Sequence, residues 1–366
     1  MTRAVALIDG EHYPPVVRDA LRALPYEWEG AILVGGTEKL RGDRDYGVPL
    51  RADFGAAEVV VDLSDEPVLG PPERMEWASR ALAAGLPYVG ADFRFEPPRL
   101  EPFDLPSISV IGTGKRVGKT AVTAHLARLL ARDRRVVVVA MGRGGPPEPE
   151  LVETPPTVED LVALARSGRH AASDHLELAA LTGVPTIGCR RAGGGLAGGV
   201  AVSNVGEGAR LAAELGADVV LFDGSGAAIP PVATSRRVLV TGERHRDPYL
   251  DTYRRLVSDV VVEQPELRLR PTAPLHGRVA VFTAGATDVS HLDADVVRVS
   301  PRLADRGALR HDLVDADTYL VEVKAAAIDV VAAHALERGI EVVLAATDVI
   351  GVDDDALLGL VPAVVP

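Results

Sequence analysis

Cysteine is almost missing from this chain: Cys189 is the single one in 366 residues. No internal disulfide can brace the fold, so a reducing, cytoplasmic setting is expected. Long apolar runs are also missing. The longest, such as Val136 to Met141, are about six residues, whereas a membrane helix needs about 20. The N-terminal apolar run stops at Asp9, too soon for a secretory signal. Positive charge is in short supply, with 39 Lys and Arg against 52 Asp and Glu, a net charge of −13. That balance argues against general binding to nucleic acid or an anionic membrane. An anionic substrate would need a local basic cluster. Lysine is the scarcest cation, at Lys39, Lys115, Lys119 and Lys324 alone. Two of the four fall in one short loop, which suggests that a point-charge ammonium is wanted there.

What is present is an alternation of short apolar strands and amphipathic helices over the whole length. Strands are expected at Ala4–Ile8, Ala31–Val34, Val59–Leu63 and Pro87–Val89, with helices at Pro15–Leu24 and Arg74–Ala84. The proline-rich stretch Phe95–Ser107 reads as a linker. A second run of strands follows at Ile108–Ile111, Arg135–Met141, Pro185–Gly188, Asp218–Phe222, Arg237–Val240 and Val260–Val262. Helices between them are expected at Gly118–Ala131, Val158–Ser167, His175–Thr182, Gly206–Leu215 and Asp247–Val257. Gln264–Gly277 reads as a second linker. The last part shows strands at Val279–Phe282, Val296–Val299, Tyr319–Val323 and Glu341–Ala345, with a helix at Ala325–Glu337. The expectation is an α/β chain in three parts, 1–100, 107–265 and 277–366. Buried strands alternating with helices imply mostly parallel sheets, with ligands at the carboxyl ends of the strands.

The sharpest motif is VIGTGKRVGKTA, Val110–Ala121, between a strand and a helix. Gly118-Lys119-Thr120 ends a phosphate-binding loop. Backbone amides of Gly112, Thr113, Gly114, Val117 and Gly118 would close around phosphate oxygens, helped by the helix N-terminus. Lys119 would reach the β- and γ-phosphates, Lys115 could be a second loop lysine facing phosphate, and the Thr120 hydroxyl would ligate Mg²⁺. The spacing is stretched, with five residues between Gly112 and Gly118. Downstream, VVLFDGSG ends an apolar run at Asp223, a candidate second metal ligand or an ordinary turn aspartate.

Other segments gather charge at strand ends. In MGRGGPPEPE, Arg143 could hold a substrate phosphate and Glu148 or Glu150 could approach Mg²⁺, or the loop is simply solvated. In GCRRAGGGLAGG, Arg190, Arg191, Gly194 and Gly195 could form an anion cradle or a flexible loop. Asp9, Glu11 and His12 sit at the end of the first strand, as substrate ligands or a polar turn. Lys324, flanked by Glu322 and Asp329, is an anion ligand or a helix-start ion pair. Arg298, Arg302, Arg306, Arg310 and His311 read as a solvated face, and Cys189 as a small buried residue.

LIDGEHYPP, VIGTGKRVGKTA, MGRGGPPEPE, CRRAGGGLAGG, FDGSGAAIPP and VEVKAAAIDVV occur in this order between Leu7 and about Val331. Together they resemble the cyclic 2,3-diphosphoglycerate synthetase family, whose nucleotide-binding part is similar to dethiobiotin synthetase. The resemblance implies a P-loop NTPase domain with a mostly parallel sheet, flanked by an N-terminal Rossmann-like α/β domain and a small C-terminal α/β part. It implies ATP- and Mg²⁺-dependent closure of 2,3-bisphosphoglycerate into an intramolecular phosphoanhydride, with release of ADP and phosphate, in a homodimer. Lys119, Lys115 and Arg116 would serve the ATP side, and Arg143, Arg190 and Arg191 the bisphosphoglycerate. Family members are longer, so this chain is a compact version; the part after about Val331 matches least, and its acidic segment GVDDDALLG reads as unremarkable. Two other readings are an ATP-dependent kinase or ligase of the dethiobiotin type and a nucleotide-switched ATPase. Such switches usually carry a lysine five residues before the loop lysine, where this chain has Gly114.

Overall fold

A computed structural model describes residues 1–39, 44–242 and 250–361. Its first compact unit holds residues 1–99 together with 195–199 and 250–258. β1 (Thr2–Ile8), β2 (Tyr26–Leu33), β3 (Val59–Asp62), β4 (Tyr88–Val89) and β5 (Arg94–Phe95) form one sheet in the order β2-β1-β3-β4-β5. All neighbours are parallel except β4 and β5. α1 (Pro14–Ala23) and α2 (Pro71–Ala83) connect them, each entered by proline at the first turn, where a missing N–H costs nothing. The fully buried β1 interior, Ala4 to Ile8, is the spine of this unit.

The second unit holds the remaining two thirds of the chain. Its first layer is built from β6 (Ser107–Gly112), α3 (Lys119–Leu130), β7 (Val136–Gly142), β8 (Glu150–Val152), α4 (Val158–Arg166), α5 (Asp174–Thr182), β9 (Thr186–Ala192), β10 (Val202–Ser203), α6 (Val205–Glu214), β11 (Val219–Asp223) and β12 (Arg236–Thr241). After α7 (Asp251–Leu256), which packs on α2 in the first unit, β13 (Val260–Glu263) closes the sheet. The order is β10-β9-β7-β11-β6-β12-β13, parallel from β9 to β13, with β8 and β10 antiparallel on β9. Runs such as Val136 to Met141 are buried on both faces, as a helix-covered parallel sheet requires.

The same unit continues through β14 (Glu266–Pro271), β15 (Arg278–Phe282), β16 (Asp295–Ser300), α8 (Arg306–Arg310), β17 (Thr318–Glu322), α9 (Ala333–Glu337), β18 (Glu341–Ile350) and α10 (Asp354–Leu358). Their sheet runs β14-β18-β17-β15-β16, with only β14 antiparallel. The two layers share cores. Val349, Leu357 and Val361 pack with α3 residues Val122 and Leu126. Leu161 and Leu176 pack with Phe282 and Ile328.

Several local readings change in the structure. The expected linker at 264–277 contains β14, because Glu-Leu-Arg-Leu-Arg alternates with the strand period and buries Leu269. The expected helix at 325–337 is a turn of π-helix, Ala327–Ala332, followed by α9, after Ala325 in the left-handed region (φ 46°). The glycine-rich stretch from 188 begins inside β9, which runs on to Ala192. The expected solvated arginine face is partly an ion-pair knot. Arg298 and Arg302 both bind the buried Asp312, and Arg306 pairs with Asp329. GVDDDALLG, read as unremarkable, forms α10, whose Leu357 is fully buried. Of the helix expected at 247–257, residues 247–249 lie outside the described residues.

Candidate active site

β6 and β11 are neighbours, with Asp223 in register with Val110. This pairing sets the end of β11 beside the loop that leaves β6. Gly224 follows, where a Cβ would fall 2.9 Å from the Val110 carbonyl oxygen, so the close approach needs glycine. The loop turns into α3 at Gly118, which sits at φ 95°, a conformation that L side chains avoid. Lys119 is buried, and its Nζ donates to the Gly114 carbonyl at 2.6 Å, curling the side chain over its own loop. Burial lowers its pKa, while Asp223 and Asp174 pull the other way. Thr113 Oγ1 is buried with no partner among the described residues.

Asp223 is buried, and its carboxylate accepts from Thr123 at 2.8 Å and from Thr120 at 3.5 Å. Burial first, and then the charge of Asp174, push its pKa up to about 7. Asp174, the first residue of α5, is itself raised by burial, against the pull of Lys119 and Lys324. Buried Asp223 and half-buried Asp174, whose charge disfavours ionisation of Asp223, make with a threonine hydroxyl an all-oxygen set suited to a hard divalent cation.

From the C-terminal layer, Lys324 reaches this cluster. Its Nζ lies 2.7 Å from Glu322 and 3.9 Å from Glu177. Burial opposes its charge, but Glu177 and Glu322 outweigh it and raise the pKa. Glu177 is pushed up to about 8, chiefly by burial. Neither Asp174 nor Glu177 stands out in the sequence reading. Their trace is an acidic pair three apart in the first turn of an otherwise apolar helix, which also reads as ordinary helix-start polarity.

A cavity of about 300 Å³ opens in front of the loop, lined by Lys115, Arg116, Lys119, Arg143, His170 and Asp174, with the Gly224–Gly226 turn. Arg191 closes its edge by donating to the Gly193 and Ser225 carbonyls at 2.7 and 2.8 Å. Arg190 and Arg191 are successive residues of β9, so they point to opposite faces and cannot act as a pair on one ligand. Gly194 and Gly195 fall in different compact units. The Gly195 and Gly198 amides are spent within one turn, on Gly199 and Gly195. Glu148 is exposed and lines an adjoining cavity with Pro146 and Pro147, which shares Gly144, Gly145 and His170 with the first. Cys189 is buried against Gly208, and burial pushes its thiol up to about 12. Asp9, Glu11 and His12 belong to the other unit. There Asp9 Oδ1 accepts from the Glu11 and His12 amides at 2.9 and 3.0 Å.

A phosphate-binding loop between β6 and α3, an aspartate at the end of the adjacent strand and a parallel sheet define a P-loop nucleotide-binding protein. Three family descriptions match in chain order. The N-terminal domain of cyclic 2,3-diphosphoglycerate synthetase matches 3–55 and 52–96, its P-loop domain 107–264, and its C-terminal domain 278–348. The cyclic 2,3-diphosphoglycerate synthetase of Rubrobacter xylanophilus is 46% identical, over 99% of this chain and 97% of that one. That of Thermococcus kodakarensis is 40% identical over 95% of each. That of Methanothermus fervidus is 36% identical over 98% of this chain and 96% of its own. The chain therefore belongs to the cyclic 2,3-diphosphoglycerate synthetase family of enzymes. The alignments run to 431, 411 and 446 positions against 366 residues, so these relatives carry insertions. Among solved structures, LpxK from Aquifex aeolicus in complex with ATP aligns with 79% of this chain and 94% of its own. The identity is 15% and the TM-score 0.47, too distant to bear on the site. No helix among the described residues is long and apolar enough to cross a membrane.

Proposed function

We propose that this enzyme uses ATP and Mg²⁺ to close 2,3-bisphosphoglycerate into its cyclic phosphoanhydride, releasing ADP and phosphate. The observation that carries the reading is the small cavity before the loop. Four cationic side chains, Lys115, Arg116, Lys119 and Arg143, line it against one acidic side chain, Asp174. In a chain of net charge −13, that local excess is what a small polyanion needs.

Thr120, Asp223 and Asp174 would hold Mg²⁺, since two interacting carboxylates, one buried and one half-buried, beside a hydroxyl fit a divalent cation. When bound, the ion supplies charge neutralisation on the phosphates. The chain's own residues position and screen. Lys119, held by one bond to Gly114, keeps two ammonium protons for phosphate oxygens. Arg143 would hold a substrate phosphate at the cavity rim. Arg191 is committed to two carbonyls through its outer nitrogens, so it shapes the Gly224–Gly226 turn first.

In the stepwise route, one phosphate of the substrate attacks the terminal phosphorus of ATP and expels ADP. The neighbouring phosphate then attacks the phosphorus still bonded to the glycerate and expels inorganic phosphate. The nucleophiles are already anionic, so positioning and charge carry the catalysis, and no strong base is required. Arg190, Glu148, Lys324 and the Asp9 group remain substrate or metal candidates of lower standing, because none lines this cavity. The cytoplasm and a homodimer complete the reading, the latter testable by light scattering.

Phosphorus NMR with ATP, Mg²⁺ and 2,3-bisphosphoglycerate tests the proposal. Pyrophosphate-type resonances of the glycerate should grow in step with ADP and phosphate. ATP hydrolysis with the bisphosphoglycerate untouched would transfer the reading to another kinase, ligase or switch of this class.

A further inference from the structure

The turn that carries Arg143 leaves the sheet yet has to keep its aim. β7 and β9 run in register as far as the pair Gly142 and Arg190. Beyond Gly142 the chain turns at Arg143 and Gly144 and passes through Gly145, Pro146 and Pro147, none of which lies in a strand. The two prolines have no N–H, so this part of the turn can be bonded only through its carbonyls. At Gly145 the turn is pressed onto β9, where a Cβ would fall 2.0 Å from the Cys189 carbonyl oxygen. At the prolines the tie is a side chain.

That side chain is Asn204, which is buried. Its Nδ2 donates to the Pro146 and Pro147 carbonyls at 3.3 and 3.2 Å. Its Oδ1 accepts from the Arg190 amide at 2.7 Å, and its own backbone amide donates to the Arg190 carbonyl at 3.3 Å. One amide group thus joins β9 to the turn, with its donor and acceptor ends in the orientation that these partners require. The position adds weight. Asn204 stands at the N-cap of α6, where an asparagine side chain ordinarily accepts from a helical amide. Here it makes no such bond. The cap is forgone for the staple.

The turn faces the chemistry on its other side. Arg143 lines the small cavity before the phosphate loop, and its Nη2 lies 2.8 Å from the place a Cβ would take on Gly226. Gly144 and Gly145 wall that cavity and also the adjoining one of about 540 Å³, so the turn is a partition between them. Asn204 lines neither cavity and can act only through the turn.

We propose that Asn204 is a positioning residue, which staples the turn 143–147 to β9 and so aims Arg143 at a phosphate of the substrate. The inference rests on the substrate reading above and adds the residue that holds its phosphate ligand in place.

The test is a double-substitution cycle on the full chain, read by calorimetry with 2,3-bisphosphoglycerate and separately with ADP. Arg143→Ala should weaken 2,3-bisphosphoglycerate by about 30-fold. Asn204→Ala should weaken it by about tenfold. The double variant should be no weaker than Arg143→Ala alone, because one residue acts through the other. ADP affinity should hold in all three, which also shows that they fold. Asn204→Asp keeps the size and the acceptor for the Arg190 amide and loses only the donor, so it should match Asn204→Ala. Losses that multiply in the double variant would overturn the proposal, as would unchanged 2,3-bisphosphoglycerate binding in Asn204→Ala or an equal loss of ADP. Trypsin gives a readout that needs no ligand. It should cut after Arg143 about tenfold faster in Asn204→Ala than in the unaltered protein, with no general rise in cutting. Equal cutting sinks the staple. If the unaltered protein does not bind 2,3-bisphosphoglycerate, or Arg143→Ala binds it normally, the substrate reading fails and the aim of Arg143 with it, while the tryptic result judges the staple separately.

Discussion

Two buried aspartates close strands at the carboxyl edges of two parallel sheets, and they do opposite things. Asp9 follows β1 and its oxygens are fully engaged. Oδ1 accepts from the Glu11 and His12 amides and lies 2.9 Å from the His12 ring, and Oδ2 accepts from the Asp65 amide at 2.7 Å. Asp223 closes β11 with two threonine hydroxyls for company and a second carboxylate nearby. A carboxylate saturated by backbone amides holds a turn. One left short of donors and next to a like charge calls for a cation. Residue type, burial and strand position are alike in both, so the surroundings alone separate structure from chemistry.

The comparison can be broken or sharpened by substitution. The largest effect is expected on the loop that faces Asp223. Lys119→Ala should cut turnover by about 10²–10³-fold with the fold intact, read by coupled ADP release. Asp223→Asn should weaken divalent-ion binding on the order of 100-fold, read by Mn²⁺ resonance, with melting little changed or raised. Asp9→Asn should do the reverse. It should cost about 1–3 kcal/mol in denaturant melts while ATP affinity at the loop stays the same. If Asp9→Asn abolished substrate binding in a protein that melts normally, the contrast would collapse.

The smallest effect is in pH. Asp223 and Glu177 have folded pKa values raised to about 7 and about 8. A raised carboxyl pKa means that the folded state holds its proton longer than the unfolded chain. That contribution is complete below about pH 4 and fades as pH climbs through 7 and 8. Metal-free protein should therefore lose a few degrees of Tm over that window. Mg²⁺ should restore more at pH 8 than at pH 5, and Asp223→Asn should flatten the slope.

The phosphate loop was legible because its requirements are local. Gly118, Lys119 and Thr120 are adjacent, and the strand before and the helix after can be read from periodicity. The alternation of strands and helices along the chain was legible for the same reason. β14 was missed because two leucines alternating with arginines beside prolines give a weak strand signal until β18 supplies its partner. α10 was missed because one buried Leu357 in an acidic run has no periodic neighbours.

The sequence by itself determined most of the elements, the loop and the family, since each is read from short segments of neighbouring residues. Only the tertiary structure decided that Asp174, Asp223 and Lys324 share one electrostatic cluster. It also separated Arg190 from Arg191 and left Asp9 saturated where Asp223 is not. Desolvation and like-charge repulsion depend on distance through space, and segments far apart in the chain meet only after the sheets have packed.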